Sequence, residues 1–113
     1  MEIGDVYSVE MPSSDGHEQA GPRPAIIVQT FRFEAQLPTV LVVPLTSQLA
    51  AQALPGTCLI QPDRENGLTL PSVALVFQLR AIDKMRLKYV MGRLNPTDLA
   101  MVRRQVEALL QLP

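Results

Sequence analysis

Hydrophobic and polar residues alternate in one part of the chain and form continuous apolar runs in others. The six residues from Asp5 to Glu10 alternate, which predicts a strand with one buried face. The apolar runs are rich in β-branched residues and predict strands over 25–31, 39–43, 57–60 and 72–79, with a weaker one over 87–94. Residues 12–24 hold three prolines and two glycines and predict a long loop, and 80–86 predicts an irregular turn.

The C-terminal segment has the clearest local signals. Asn95 is a candidate N-cap, Pro96 suits the first helical position, and Asp98 falls in the first turn. One apolar face follows at helical spacing, made by Leu99, Val102, Val106, Leu109 and Leu110. The pattern therefore predicts an amphipathic helix that ends the chain.

The connections between the predicted strands are too short for the crossover helices of a parallel sheet. We therefore expect a mainly β (α+β) fold, a small antiparallel β-barrel or curled sheet with the C-terminal helix packed against it. A length of 113 residues favours one domain, 1–113.

Composition narrows the chemistry. With Cys58 and His17 as the only cysteine and histidine, a disulfide framework is excluded and a zinc site is not expected. We expect no metal and no cofactor. The acidic N-terminus lacks a signal peptide pattern, and no apolar run is long enough to span a bilayer, so we expect a cytoplasmic protein with no membrane partner.

A net charge of −1 argues against nucleic-acid binding, but the charge is unevenly distributed. Residues 80–104 hold seven basic and two acidic residues, whereas the rest of the chain is acidic. Such segregation favours an anionic ligand on one side. The alternative is that these residues form ordinary solvated faces.

Arg23 lies between Pro22 and Pro24, immediately before a predicted buried strand. The prolines hold the backbone extended and stiff, so the guanidinium could clamp a phosphate. A surface arginine in a structural loop is the alternative. The adjacent pair of His17 and Glu18 suggests acid–base chemistry, against the alternative of a solvated loop histidine.

Two strand ends carry polar side chains. Thr46 and Ser47 follow an apolar strand, where hydroxyl groups could donate to phosphate oxygens or simply form a turn. Gln78 and Arg80 would share a face if the strand that contains them alternates.

Four blocks, in order along almost the whole chain, resemble the PemK/MazF toxin family. They are Gly4-Asp5-Val6-Tyr7 with Gly16-x-Glu18-Gln19-x-Gly21-x-Arg23-Pro24, Val42-Val43-Pro44-Leu45-Thr46-Ser47, Ser72-Val73-Ala74-Leu75-x-x-Gln78-Leu79-Arg80-x-Ile82-Asp83-Lys84, and Gly92-Arg93-Leu94.

The resemblance implies an SH3-like barrel and the toxin half of a toxin–antitoxin pair. It implies a homodimer, a MazE-like antitoxin as partner, and single-stranded RNA or mRNA as substrate. The implied activity is sequence-specific endoribonuclease cleavage, independent of metals and ribosomes, in which the ribose 2′-OH attacks the adjacent phosphorus. The products are a 2′,3′-cyclic phosphate or 3′-phosphate and a 5′-OH.

The family's catalytic arginine falls on Arg23 and its catalytic threonine on Thr46. A guanidinium stays protonated, so the carboxylate of Glu18 is the better general base. The RNA-binding residues that the resemblance implies are Gln19, Ser47, Gln78, Arg80 and Lys84.

The chain departs from the family pattern at three places. His17 stands where serine is usual, Phe77 stands where an acidic residue often precedes the motif glutamine, and residues 49–56 match loosely. The cleavage sequence therefore does not transfer. Two alternatives remain, a CcdB-like toxin that binds DNA gyrase and a non-catalytic barrel that binds partners.

Overall fold

The computed structural model describes residues 1–12, 22–33 and 36–112. These residues form seven strands and one α-helix. The strands are β1 (Asp5–Glu10), β2 (Pro22–Ile27), β3 (Thr39–Thr46), β4 (Thr57–Ile60), β5 (Ser72–Leu75), β6 (Arg80–Asp83) and β7 (Leu87–Arg93), and the helix is α1 (Pro96–Leu110).

All strand pairings are antiparallel, in the order β4-β5-β3-β2-β1-β7, with β6 also paired to β3. One edge of β3 is divided between two partners: β6 pairs with residues 39–42, and β5 pairs with Leu45 and Thr46. A 3-10 turn, Lys84–Arg86, joins β6 to β7. The expected fold class is confirmed, although the pairings between described residues do not close the sheet into a complete barrel.

Alternating side chains of the sheet enter two separate hydrophobic cores. Val43 and Leu45 of β3 belong to the core that packs against α1, together with Val102 of that helix. Val40 and Val42 point the other way, into a second core. Because both faces of β3 are buried, its sequence is a nearly continuous apolar run.

The helix begins as the sequence predicts. The Asn95 side chain accepts a hydrogen bond from the Asp98 backbone N–H at 2.8 Å, and Pro96 follows at the first helical position. Val102 is fully buried, but Leu109 and Leu110 are exposed. The expected apolar face is therefore covered only along the first part of the helix.

Several predicted strand boundaries are wrong, and one strand was predicted as a turn. β2 begins at Pro22, inside the predicted loop, because proline and the residue before it favour extended backbone. β5 ends at Leu75 and a 3-10 turn follows, so Gln78 and Arg80 do not share one strand. Residues 80–83 form β6 through pairing with the distant β3.

Among the described residues, no helix is both long and apolar enough to cross a membrane.

Candidate active site

A cavity of about 310 Å³ opens where β2 begins and β3 ends. Arg23 lines it from β2, and Thr46 and Ser47 line it from the end of β3. The structure thus brings together three of the residues that the sequence singled out, although 22 residues separate Arg23 from Thr46 along the chain.

The prolines explain why an opening forms at this point. The ladder between β2 and β3 ends at the pair Ala25–Pro44. Pro24 and Pro44 have no N–H to donate, so the ladder cannot continue. Counting on by two positions on each strand brings Arg23 level with Thr46, and side chains at such positions point to the same face of the sheet.

Thr46 has a local hydrogen bond that fixes its hydroxyl group. Thr46 Oγ1 accepts from the Gln48 backbone N–H at 3.2 Å, which is the turn that the sequence offered as the simpler interpretation. Because Thr46 is the acceptor in this bond, its hydroxyl hydrogen is available to a ligand. The turn and a binding role are therefore compatible.

The segment leading into β5 forms another part of the cavity lining, with Leu68, Thr69, Leu70 and Ser72. Leu68 is buried, whereas Leu70 is 57% exposed. We call residues 68–70 the wall segment. No local pattern in the sequence distinguishes the wall segment from an ordinary turn, so its place in the cavity was not predicted.

None of the other predicted site residues that the structure describes lines the cavity. Glu18 and Gln19 lie outside the described residues. Gln78 is exposed in the 3-10 turn after β5, and Arg80 is opposite Val42 on β6. Lys84 follows β6 and donates its backbone N–H to the Pro38 carbonyl, at the far end of β3 from Thr46. At about 3.3 Å per residue, that end is roughly 20 Å or more from the cavity.

The basic segment 80–104 does not surround the cavity within one chain. Its only contribution to the lining is the uncharged Met91. Arg93 pairs with Glu2 and Asp5, and Arg103 and Arg104 line a separate groove along α1. The basic side chains of this segment therefore do not form the lining of the cavity.

Arg86 belongs to the same basic segment and lies near the start of β2, where the cavity opens. Its guanidinium donates to the Glu10 carbonyl at 3.1 Å, and Glu10 is opposite Pro22 at the start of β2.

The remaining titratable groups of the described residues show no metal-binding arrangement. Within the described ranges, no group of three or more histidine, cysteine, aspartate or glutamate side chains is placed to hold a metal ion. Cys58 is 7% exposed, and burial raises the pKa of its thiol. It is therefore a core residue, as the sequence indicates.

The structure thus combines a small antiparallel sheet and one C-terminal helix with a cavity lined by an arginine and hydroxyl groups. The chain belongs to the family described as PemK-like, MazF-like toxin of type II toxin-antitoxin system, whose model matches residues 2–110.

Individual relatives agree with this assignment. The chain is 31% identical over 112 residues to the endoribonuclease MazF of Staphylococcus saprophyticus, covering 99% of this chain and 92% of the relative. With the family match, this makes the chain an endoribonuclease toxin of the MazF type.

Solved structures show the same fold. A MazF crystal structure from Deinococcus radiodurans superimposes with a TM-score of 0.78 at 24% identity, covering 98% of this chain and 96% of that one. A mycobacterial endoribonuclease in complex with its cognate antitoxin gives 0.76 at 19% identity, covering 100% and 97%.

Proposed function

We propose that the cavity is the catalytic centre of a metal- and ribosome-independent endoribonuclease that cleaves single-stranded RNA, including mRNA, at specific sequences. The observation that carries the proposal is that Arg23, Thr46 and Ser47 line one cavity. The ribose 2′-OH attacks the adjacent phosphorus as its proton passes to a base, and the bond from phosphorus to the 5′-oxygen breaks. The products are a 2′,3′-cyclic phosphate, or the 3′-phosphate formed from it by hydrolysis, and a 5′-OH.

Arg23 and Thr46 stabilise the transition state. The pentacoordinate phosphorus carries additional negative charge on its non-bridging oxygens, and the guanidinium neutralises that charge. The Thr46 hydroxyl donates to a phosphate oxygen in an orientation set by its bond from Gln48. Preorganised donors of this kind are worth about 2.7–4 kcal/mol each. Ser47 provides a further hydroxyl at the same strand end.

Proton transfer requires a base as well as a donor to the leaving oxygen. Arg23 stays protonated, so it stabilises the leaving 5′-oxygen through a hydrogen bond, and a water molecule supplies the proton that completes the 5′-OH. Glu18 accepts the 2′-OH proton, because a carboxylate is ionised near neutral pH. Gln19, next to it in sequence, contacts the RNA.

RNA contacts and protein partners extend beyond the cavity. Gln78, Arg80 and Lys84 do not line the cavity, so in this proposal they contact RNA that extends beyond it. The active form is a homodimer, and a MazE-like antitoxin is its partner. The antitoxin proposal is supported by the family's place in toxin–antitoxin systems and by the mycobacterial neighbour, which is in complex with its cognate antitoxin.

The experiment is RNA cleavage in EDTA by wild type, Arg23→Ala and Thr46→Ala, with Arg103→Ala as a matched control. Arg103 is exposed on α1 and does not line the cavity. We expect each cavity variant to lose about 10²–10³-fold in kcat and the control to retain wild-type activity. Undiminished cleavage by Arg23→Ala would contradict the assignment. Inhibition of DNA gyrase without cleavage of varied RNAs would favour the CcdB-like alternative.

A further inference from the structure

The wall segment is set beside the proposed catalytic groups by the pairing of β5 with β3. Thr46 is opposite Val73, so continuing the antiparallel register by one position brings Ser72 level with Ser47. Thr69 and Leu70 immediately precede this point and line the same cavity as Arg23. Any nucleotide whose phosphate reaches Arg23 and Thr46 therefore meets the wall segment.

A buried asparagine fixes the chain just before the wall segment. Asn66 is fully buried, and its Oδ1 accepts from the backbone N–H groups of Leu68 at 2.9 Å and Asp63 at 3.3 Å. Its amide donates to the Gln61 carbonyl at 2.9 Å. The Asp63 carboxylate in turn accepts from the backbone N–H groups of Glu65 and Asn66. The backbone that enters the wall segment is thus held by several hydrogen bonds.

Two close backbone approaches lock this loop onto β7. Gly67 has a φ of +74° and lies so near Met91 that a Cβ there would meet the Met91 carbonyl. A Cβ at Gly92 would likewise meet the Glu65 carbonyl, which accepts from the Arg93 N–H at 2.8 Å. The backbone that enters the wall segment is therefore held in place against β7.

The chemistry of the wall segment differs from that of the catalytic groups. Leu70 presents an apolar side chain to solvent inside the cavity, and Met91 adds a second apolar contact. A nucleobase has apolar faces and polar edges, so Leu70 fits a face and the Thr69 hydroxyl fits an edge. A wall whose entering backbone is held in this way discriminates by shape, because it adapts poorly to a base of another size.

We propose that Thr69 and Leu70 select the nucleobase next to the scissile phosphate, and that Asn66 is a positioning residue for them. The inference rests on the proposed function, since it assigns the sequence preference of the same cavity. A cavity of about 310 Å³ is at the lower end of the range for ligand sites, which suits one nucleotide better than several.

The test first identifies the preferred cleavage site of wild type in a random-sequence RNA pool. Oligonucleotides that vary only the base on each side of that phosphate then give kcat and KM for each variant. The variants are Leu70→Ala, Thr69→Val, which replaces the hydroxyl with a methyl group, and Asn66→Asp, which keeps the side chain's shape. Leu54→Ala is the matched control, because Leu54 is 50% exposed and does not line the cavity.

We expect Leu70→Ala to reduce the kcat/KM ratio between preferred and disfavoured bases by about tenfold, chiefly through KM. Thr69→Val changes which base is preferred, and Leu54→Ala keeps the wild-type ratios. Asn66→Asp reduces the kcat/KM ratio between bases as well, although Asn66 is buried and does not contact RNA. If Asn66→Asp fails to fold, Leu70→Ala and Thr69→Val still decide the outcome, because both positions are exposed.

Wild-type ratios in both Leu70→Ala and Thr69→Val would overturn the inference. If wild type cleaves and Arg23→Ala does not, that result leaves the proposed function intact. If wild type cleaves no RNA in the pool, the proposed function fails and the inference fails with it.

Discussion

The side-chain amide of Asn95 donates to Asp63 Oδ2 at 3.1 Å, which ties the loop before the wall segment to the start of α1. The same amide lies 3.0 Å from Asp98 Oδ2. Asn95 therefore caps the helix through its oxygen and holds two carboxylates through its nitrogen. The two carboxylates respond differently, because burial raises the pKa of Asp98, whereas hydrogen bonds from Glu65, Asn66 and Asn95 lower the pKa of Asp63.

The lowered pKa of Asp63 predicts a loss of stability in acid. Its contribution is complete above the pKa that Asp63 has in the unfolded chain, about 3.9, and is lost as the pH falls through the lower folded-state value. Urea unfolding from pH 6 to pH 2 should therefore show a steeper decline for wild type than for Asp63→Asn, which has no carboxylate to titrate. Parallel curves for the two proteins would contradict this assignment.

Gly92 is expected to tolerate no side chain. In Gly92→Ala the new methyl group would meet the Glu65 carbonyl, so the loop or β7 must move. We expect the free energy of unfolding to fall by about 1–3 kcal/mol. Ala81→Ser is the control on an exposed position of β6, with an expected change within about 0.5 kcal/mol. Equal stability of Gly92→Ala and wild type would show that the loop is not locked.

Arg93 pairs with two carboxylates of unequal burial, which predicts unequal effects on stability. Asp5 has a side chain that is 14% exposed and accepts from the Glu2 backbone N–H and from Arg93, whereas the Glu2 side chain is 57% exposed. Asp5→Ala should lower the free energy of unfolding by about 1–3 kcal/mol, because it removes the acceptor of both bonds. Glu2→Ala should cost less than about 1 kcal/mol. Thermal or chemical denaturation measures both losses of stability. A larger loss for Glu2→Ala than for Asp5→Ala would contradict this prediction.

The planar guanidinium of Arg23 predicts that lysine cannot replace it. Arg23→Lys keeps the positive charge but loses the bidentate fork that matches two phosphate oxygens. We expect kcat to fall by about 10²-fold with a smaller change in KM, since the lost contact acts in the transition state. Steady-state cleavage kinetics measure this, with Arg103→Lys as the control. A wild-type kcat for Arg23→Lys would mean that charge alone suffices.

Local signals predicted the parts of the fold that depend on neighbouring residues. Asn95 and Pro96 mark the start of α1 because capping involves residues only three positions apart. The β6 strand was missed because residues 80–83 become extended by pairing with residues 39–42. That partner lies about 40 residues earlier, and no local pattern reports it.

The residues of the candidate site also divide into those that local sequence indicates and those that distant contacts bring to the cavity. The prolines around Arg23 fix its backbone locally, so the sequence indicated its importance. The place of Leu70 in the cavity depends on Gly67 lying against Met91, 24 residues later in the chain. Contacts of that kind decide which side chains share a cavity, and composition or spacing does not reveal them.

The loop at residues 65–67 packs closely against Met91 and Gly92 of β7. This contact also determines when the cavity is complete during synthesis. Arg23, Thr46 and the wall segment emerge from the ribosome well before residues 91–93, which hold the wall in place. β1, the most N-terminal of the described strands, gains its β7 neighbour at the same late stage. A nascent chain whose residues 91–93 are still inside the ribosome therefore carries an unfinished cavity.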